Sequence, residues 1–291
     1  MNYQHAFHAG NFADVHKHIV LTRILVHLRQ KAAAFRVVDS HAGAGRYDLQ
    51  SSEATRGGEW QGGIARLWQA LPHLPSAEAG DAAALLDPYI AAVAALNPGG
   101  ALVRYPGSPV IVQSLLRAQD RLIACEIEPR AAAALEAALR GDARAKVLTL
   151  DGWTAISATL PPKERRGLVL IDPPFEDAGD FAHLSAALIA AHRKWPTGIY
   201  LLWYPIKERA APDALARRLR RAALPKVLRS ELSLGPPRAE TGLVGSGVIV
   251  VNPPYRLDAE LRALLPCLAS ILSPNAAHRL DWLAAEAPPR P

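Results

Sequence analysis

The sequence predicts a parallel, doubly wound α/β fold, and three features of the chain support this prediction. Short, continuous apolar runs fit strands that are covered on both faces of a sheet. Ala- and Leu-rich helical stretches at residues 129–139 and 181–193 separate some of these runs, and an alternation of strand and helix is typical of parallel sheets. Two further apolar runs complete the pattern, which gives seven predicted strands: residues 35–40, 121–126, 146–150, 167–172, 198–204, 226–233 and 246–251.

One long segment interrupts the alternation. Residues 51–119 have a helical pattern, and pairs of glycines bracket their helical runs. We therefore predict three parts of the chain. Residues 1–50 hold an N-terminal tail, a helix and the first strand with its glycine loop, residues 51–119 form a helical insertion, and residues 120–291 complete the sheet.

Length and composition narrow the function classes. A chain of 291 residues that is 50% hydrophobic can bury a large core. The N-terminus lacks a basic stretch followed by an apolar one, and the most apolar helical run, residues 82–96, is too short to span a bilayer. Two cysteines, Cys125 and Cys267, indicate neither a disulfide framework nor a zinc knuckle. We expect a cytoplasmic monomer without a membrane partner or a metal.

The charge balance permits a polyanionic partner. The chain has 33 Lys and Arg residues against 27 Asp and Glu residues, and its net charge is +6. Basic residues concentrate in the segment 207–229, which we expect to contact RNA phosphates. The plain alternative is a solvated helix face.

Small and acidic residues follow the predicted strands at their carboxyl ends, where open α/β sheets bind ligands. Gly43 and Gly45 follow the first strand and permit a tight turn close to a ligand. Glu126 ends the second strand, where a carboxylate can accept hydrogen bonds from ribose hydroxyls, and Asp151 and Gly152 follow the third. Each feature alone fits an ordinary turn or surface charge. Three consecutive strands that end in this way favour a nucleoside-containing cofactor.

The fourth strand ends in the sequence Asp172-Pro-Pro-Phe175. An exocyclic adenine amine is a poor nucleophile, because its lone pair is delocalised into the ring. The Asp172 carboxylate and the Pro173 carbonyl can accept the amine hydrogens and localise that lone pair, while Phe175 stacks on the base. The alternative is a rigid turn with a packed aromatic ring, and Pro-Pro pairs arise by chance among 24 prolines.

These motifs, in this order, resemble those of S-adenosylmethionine-dependent amino-methyltransferases. Longer stretches are more specific, and "NYQHAFHAGNFADVHKH", "DSHAGAGRYDL", "YPGSP", "DPPFE" and "GSGVIVVNPP" resemble the RlmJ family, which methylates N6 of an adenine in 23S ribosomal RNA. The similarity covers nearly the whole chain. It implies a Rossmann-like, seven-stranded methyltransferase fold with an inserted helical subdomain, S-adenosyl-L-methionine as cofactor and 23S ribosomal RNA as partner.

The resemblance also implies roles for single residues. Asp172 is expected to be catalytic, and Tyr3 is expected to meet the RNA. Phe175 stands where such enzymes commonly have a tyrosine, a change that keeps the stacking ring and removes a phenolic hydroxyl. Contacts with the cofactor are expected from His18, His41, Ser108, Glu126, Asp151 and Gly152.

A near copy of the catalytic motif, Asn252-Pro-Pro-Tyr255, follows the last predicted strand. In a seven-stranded methyltransferase sheet the fourth strand lies beside the first, and the last lies two places further out. At about 4.8 Å per strand, Asn252 would lie roughly 10 Å too far from the methyl group. We therefore predict that Asp172 is catalytic and that Asn252 is a strand-ending turn residue.

The N-terminal segment allows two further interpretations. Residues 1–11 offer few aliphatic anchors, so we expect them to be loosely held without substrate and to use their aromatic rings on unpaired bases. An ordinary frayed terminus is the alternative. A metal site can also be drawn from Asp14 and four histidines, although helical spacing turns the last two to different faces: His5, His8, His16 and His18.

Other enzyme classes remain as alternatives at this point. The motif with asparagine is also found in protein glutamine-N5 methyltransferases, and a DNA adenine-N6 methyltransferase would need the same chemistry. A nicotinamide-dependent oxidoreductase is disfavoured because Asp48 stands where the G-x-G-x-x-G pattern requires its last glycine. A non-catalytic RNA-binding module would leave the cofactor residues without a role.

Overall fold

An eight-stranded sheet forms the centre of the protein, whose computed structural model describes residues 5–74, 81–177, 179–235 and 242–285. The strand order is β10-β8-β9-β7-β6-β1-β4-β5, and a separate two-stranded ribbon pairs β2 with β3. The strands are β1 (Arg36–Asp39), β2 (Arg46–Asp48), β3 (Arg104–Pro106), β4 (Arg121–Cys125), β5 (Ala145–Leu148), β6 (Gly167–Ile171), β7 (Ile199–Ile206), β8 (Val227–Ser233), β9 (Gly245–Val251) and β10 (Ala277–Ala284).

Strand direction divides this sheet in two. The five strands β5, β4, β1, β6 and β7 run parallel, whereas β9, β8 and β10 are each antiparallel to their neighbours. The predicted α/β architecture is confirmed, and each predicted strand is present with its ends shifted by at most two residues. The number of strands was wrong. The eighth strand, β10, lies at the sheet edge and is mostly exposed, so it lacks the continuous apolar run that marks the others.

Helices cover both faces of the sheet. One face packs against α1, α5, α6 and α10, together with helices of the insertion, and the other packs against α7, α8 and α9. No helix within the described ranges is both long and apolar enough to cross a bilayer. The helices are α1 (Phe12–Arg29), α2 (Ser52–Gly57), α3 (Ile64–Ala70), α4 (Ala82–Ala95), α5 (Ser108–Leu115), α6 (Pro129–Leu139), α7 (Gly152–Thr159), α8 (Asp180–Lys194), α9 (Ala210–Arg221) and α10 (Leu257–Leu272).

Along the chain, the inserted helices come between the two strands of the ribbon. The antiparallel pairing of β2 with β3 brings the two ends of this excursion together, and α2, α3 and α4 lie between them. Leu85, Tyr89 and Val93 of α4 belong to the same core cluster as the sheet, so the insertion shares the main core. Helix α5 lies beyond the ribbon and packs against α1 and β4 as a crossover helix. The insertion boundary at residues 51–119 stays a prediction.

Helix α1 is the most enclosed helix of the fold. Fifteen of its 18 residues are buried, although several of them are polar. Asn11 caps its first turn by accepting hydrogen bonds from the backbone N–H groups of Ala13 and Asp14, both at 2.9 Å. Arg23 forms a two-pronged ion pair with Glu260 of α10, at 2.8 and 2.9 Å. The buried polar groups of α1 thus determine which elements can pack around it.

The segment before α1 is held in place from residue 5 onward. His5–Phe7 forms a 3-10 helix, and Ala9 is buried. His5 Nε2 lies 3.0 Å from the Asp14 carboxylate, and His8 Nδ1 lies 2.9 Å from the Glu59 carboxylate of the insertion. The predicted loose tail is therefore wrong for residues 5–11, because polar contacts anchor a segment that lacks aliphatic ones. Tyr3 lies outside the described residues, and its role stays a prediction.

His16 connects α1 to the antiparallel half of the sheet. Its Nδ1 lies 3.0 Å from the Ser246 hydroxyl of β9, and its Nε2 lies 2.9 Å from the Ser230 hydroxyl of β8. The ring is fully buried, and this burial lowers its pKa to about 4. A neutral imidazole satisfies both hydroxyls, since one nitrogen donates and the other accepts.

His16 should make stability depend on pH. At a pH between the ordinary pKa of histidine and the lowered pKa of His16, the unfolded chain binds a proton at this residue and the native state does not. The stabilisation that the neutral His16 ring provides is therefore lost as pH falls from about 6.5 to about 4. In His16→Gln, urea unfolding at pH 6 and pH 5 should show a pH slope shallower than in the wild type by about 1 kcal/mol per pH unit. Equal slopes would contradict this assignment.

Candidate active site

A cavity of about 720 Å³ opens at the carboxyl ends of the parallel strands β1, β4, β5 and β6. This size fits a nucleoside-type cofactor with part of a substrate. Gly45 and Phe175 were predicted site residues and do not line it, and Tyr3 lies outside the described residues. The structure brings the other predicted residues together around the cavity: His18, His41, Gly43, Ser108, Glu126, Asp151, Gly152, Asp172 and Pro173.

The glycine loop after β1 is held by Glu126. The backbone N–H of Gly43 donates to Glu126 Oε2 at 2.9 Å, and the backbone N–H of Glu128 donates to Oε1 at 2.8 Å. Gly43 has φ +61°, and a Cβ there would lie 2.3 Å from the Tyr47 hydroxyl. Gly45 instead faces Leu135, where it permits close packing of α6. Glu126 keeps free lone pairs for ribose hydroxyls after fixing two loops.

The loop after β5 closes a second side of the cavity. Asp151 caps α7 by accepting from the backbone N–H of Thr154 at 2.8 Å. Only glycine fits next to it, since a Cβ on Gly152 would lie 2.3 Å from the Ser40 carbonyl oxygen and 2.6 Å from the His41 ring. Burial lowers the pKa of His41 to about 4, which keeps this ring neutral at the cavity wall.

Asp39 supports the cavity from behind, a role that the sequence reasoning missed. It ends β1 behind the glycine loop, and its Oδ2 accepts a hydrogen bond from the Ser108 hydroxyl at 2.6 Å. Oδ1 is buried and accepts no hydrogen bond from the described residues. Burial raises the pKa of Asp39 to about 7, with the Ser108 hydrogen bond acting against it. Asp39 thus lies behind the cavity wall and orients Ser108, which lines the cavity.

Asp172 forms an ion pair with Lys17, which is the second residue that sequence reasoning missed. Lys17 Nζ donates to Asp172 Oδ2 and, at 2.8 Å, to Asp14 Oδ1. The Lys17 side chain is 4% exposed. Although burial alone would lower the pKa of Lys17, the two carboxylates outweigh it and hold that pKa above its ordinary value. The spacing of Asp14 and Lys17 was a visible signal, since residues three apart meet on a helix.

Asp14 completes this cluster on the side away from the cavity. Burial would raise its pKa, but the charge of Lys17 and the hydrogen bond with His5 hold the pKa of Asp14 well below its usual range. Asp14 Oδ2 also accepts from the backbone N–H of Gly10 at 2.9 Å. The ammonium group thus lies between two carboxylates, and Asp172 Oδ1 is the oxygen that Lys17 leaves for other donors.

Phe175 does not face the cavity. Its ring lies 4.9 Å from the ring of Phe181 and 5.6 Å from the ring of Trp203, measured between centroids. Its φ is +53°, which is costly for an aromatic residue and sharpens the turn after Pro174. The strained turn fixes the backbone of the motif, while stacking on a base would need the Phe175 ring to leave these neighbours.

Asn252 and Asp172 lie at opposite ends of the parallel strands. Strand β9 is antiparallel to β7 and pairs Val251 with Tyr200, so Asn252 follows β9 at the amino end of the parallel strands. Its side chain donates to the carbonyl oxygens of Pro196 and Gly198, both at 2.8 Å. The predicted order of the strands is present, but strand direction, rather than distance across the sheet, separates Asn252 from the cavity.

The four N-terminal histidines contact protein groups that differ in kind. His18 Nδ1 lies 2.8 Å from the Tyr105 hydroxyl, and burial lowers the pKa of His18 to about 3. His5 contacts Asp14, His8 contacts Glu59 and His16 contacts two serines. Within the described ranges, no group of three or more His, Cys, Asp and Glu side chains has the arrangement of a metal site.

The arginines of the basic segment 207–229 fall into two groups, those in ion pairs within the fold and those exposed on α9. Arg229 is buried and pairs with Asp281 at 2.8 Å, and Arg209 pairs with Glu231 at 2.8 Å. These two residues hold strands and helices together, so the expectation of phosphate contacts was wrong for them. Four arginines of α9 remain on its exposed side: Arg217, Arg218, Arg220 and Arg221.

Comparison with known proteins places the chain in a family. Residues 32–284 match the family described as Ribosomal RNA large subunit methyltransferase D, RlmJ. The chain belongs to this family. It is 40% identical over 288 residues to the Ribosomal RNA large subunit methyltransferase J of Escherichia coli, with 98% of this chain and all of the relative covered. The protein of the same name from Haemophilus influenzae is 38% identical over 289 residues, with the same coverage.

A solved structure of similar length supports the family fold. A protein from Legionella pneumophila, 34% identical, superposes with a TM-score of 0.86 and covers 94% of this chain and 98% of its own. The resemblance predicted from the motifs is thus confirmed, as is the methyltransferase fold that it implied. The family membership also makes a methyl donor part of the expected reaction.

Removing the Lys17 charge should destabilise the protein. Lys17→Met leaves two buried carboxylates without their counterion, which should lower the free energy of unfolding at pH 7 by about 3 kcal/mol or more, measured by urea denaturation. Because the pKa of Asp14 is lowered in the folded protein, its ionised carboxylate stabilises the wild type above the ordinary pKa, and this stabilisation is lost as pH falls through the lowered pKa. The difference in unfolding free energy between wild type and Lys17→Met should therefore shrink in acid.

The double variant Asp14→Asn/Lys17→Met serves as the control, because it leaves only one buried carboxylate. It should be more stable than Lys17→Met alone, with a coupling energy of at least about 1 kcal/mol. Additive losses would contradict the ion-pair assignment.

Proposed function

We propose that the protein transfers a methyl group from S-adenosyl-L-methionine to N6 of an adenine in 23S ribosomal RNA. One observation carries this proposal: the Asp172 motif ends β6 beside the glycine loop of β1, in a chain whose relatives are named ribosomal RNA large subunit methyltransferases. The monomeric state and the cytoplasmic location are predictions that accompany it.

The cavity walls fit the proposed cofactor. Glu126 offers carboxylate lone pairs to the ribose, and Asp39, buried behind the wall, fixes the Ser108 hydroxyl at 2.6 Å. His41, Ser108 and Gly152 shape the remaining wall. S-Adenosylmethionine supplies an electrophilic methyl group when it is bound there.

The chain contributes acceptors and alignment to the transfer. Asp172 Oδ1 and the Pro173 carbonyl accept the two hydrogens of the adenine amine, which localises the nitrogen lone pair toward the methyl group. Bound S-adenosyl-L-methionine would supply the methyl group and would leave as S-adenosylhomocysteine, and the proton that the methylated amine must lose would pass to solvent. Lys17 donates to Asp172 Oδ2 and fixes the carboxylate plane, which leaves Oδ1 as the acceptor for the amine. No covalent enzyme intermediate is needed, so rate comes from alignment of the reacting atoms.

Phe175 and Tyr3 have different roles in this proposal. Phe175 acts in this proposal by fixing the turn, because its ring packs on Phe181 and Trp203. Stacking on the adenine falls to another ring, for which Tyr3 is the residue implied by the family resemblance.

Asp172 and Asn252 should differ sharply in their effect on transfer. Asp172→Asn keeps the side-chain shape and removes an acceptor, so methylation of a 23S ribosomal RNA transcript should fall at least about 100-fold while cofactor affinity changes little. Asn252→Ala loses two hydrogen bonds and should cost about 1–3 kcal/mol of stability, with the activity of the folded protein retained. Methylated adenine is measured by mass spectrometry of RNA digests.

Three results would overturn the proposed reaction. The first is the reverse pattern of activity between Asp172→Asn and Asn252→Ala. The second and third are methylation of a protein glutamine, or of a DNA adenine, in preference to the RNA.

Glu126 should matter for the affinity of the cofactor. In Glu126→Gln one acceptor becomes a donor that faces a backbone N–H, so calorimetry with S-adenosylhomocysteine should show affinity lower by about 10-fold or more. Glu136→Gln, on the exposed side of α6, removes the same charge and should leave affinity unchanged. Equal affinities for both variants would remove Glu126 from the cofactor site.

A further inference from the structure

The second proline motif lies where three loops meet, at the sheet edge opposite the cavity. The Asn252 side chain bonds the loop after α8 through Pro196 and Gly198, and its backbone N–H donates to the Lys226 carbonyl oxygen, in the loop after α9, at 3.0 Å. The motif is therefore the fixed centre of this edge.

Tyr255 projects from this centre into solvent. It is 85% exposed, the highest value among the large hydrophobic side chains of the described residues. The stiff Pro253-Pro254 unit and Asn252, with its two side-chain hydrogen bonds, precede it, so its backbone has little freedom. A rigidly mounted, exposed aromatic ring is suited to stacking on a base that has left its helix.

A basic groove runs between α8 and α9 toward the same edge, and its lining on α8 extends from Ala182 to Arg193. It has a volume of about 560 Å³, and its walls carry His192, Arg193, Arg218 and Arg221 above apolar groups such as Leu224. Arg218 and Arg221 form no ion pair with any described residue. The nearest acid of β10, Asp281, is already held by Arg229 at 2.8 Å. The groove thus has uncompensated positive charge.

Helix α8 connects the two sites. It starts at the cavity rim, where Asp177 and Asp180 lie, and ends in the basic residues of the groove. Its 15 residues span about 22 Å. The acidic rim repels phosphates close to the cavity, so a polyanion on this side of the protein gains attraction only near the far end of α8.

We infer that this edge is a second RNA-docking surface, on which Arg193, Arg218 and Arg221 hold backbone phosphates and Tyr255 stacks on an unpaired base. The inference rests on the proposed function, since the same RNA would place its adenine in the cavity. The groove arginines and the exposed ring, which follows the loop-bonded Asn252 by three residues, match the two parts of single-stranded RNA, its phosphates and its bases. The surface serves substrates that extend more than about 22 Å from the target adenine.

The test compares two RNAs with wild type and variants. One is a short hairpin that carries only the target adenine and its stem, and the other is a 23S ribosomal RNA fragment that extends the hairpin with its flanking helices. In Arg218→Ser/Arg221→Ser, affinity for the fragment should fall about 10-fold at low salt, and the dependence of log affinity on log salt should become shallower by about 1 to 2. The matched control is Arg140→Ser/Arg262→Ser, which removes two exposed charges elsewhere on the protein.

Tyr255 has its own matched pair of variants. Tyr255→Ala should weaken binding of the fragment about 5-fold to 100-fold, whereas Tyr255→Phe keeps the ring and should bind as the wild type does. Methylation of the short hairpin should be the same in wild type and all four variants, because the cavity is unchanged.

The possible results separate the inference from the proposed function. Equal losses on the fragment for the arginine pair and its control, or losses on the hairpin as large as those on the fragment, would overturn the docking surface while the methyl transfer stands. Wild-type protein that methylates neither RNA would overturn the proposed function and this inference with it.

Discussion

The buried ammonium group of Lys17 is the interaction on which the site and much of the fold depend. It lies between the carboxylates of Asp14 on its own helix and Asp172 at the end of β6. A single buried charge would be expensive, and three charges that neutralise one another only in part still need hydrogen bonds from their surroundings. Asp14 obtains these from Gly10 and His5, which explains why the segment before α1 folds against the site.

The same logic extends along α1. A helix that is buried all round is usually apolar, yet this one carries polar groups whose partners lie on different elements. His16 bonds the serines of β8 and β9, His18 bonds Tyr105 in the ribbon strand β3, and Arg23 bonds Glu260 of α10. Each contact is directional, so together they set the rotation and depth of α1. The position of Lys17 relative to the cavity follows from that placement.

The parallel half of the sheet and the cavity residues could be predicted from the sequence because their signals are local. Continuous apolar runs mark buried strands, and polar residues at strand ends mark the edge where parallel strands bind ligands. The contact of Lys17 with Asp172 was not predictable, because it joins residues 155 positions apart. The direction of β9 also carries no local signal, although it decides which edge Asn252 occupies. The orientation of the Phe175 ring depends on neighbours from α8 and β7.

The partners of α1 have a consequence for the time course of folding in the cell. The partners of His16, Ser230 and Ser246, are synthesised 214 and 230 residues after it. Glu260 is synthesised 237 residues after Arg23. At roughly 5–20 residues per second, the ribosome needs on the order of 10 to 50 s to deliver them. The first helix to emerge is therefore among the last to reach its final environment. Until then its polar side chains stay hydrated, and a chain that stops short of β8 would lack the partners that orient Lys17, although its glycine loop and Asp172 are already complete.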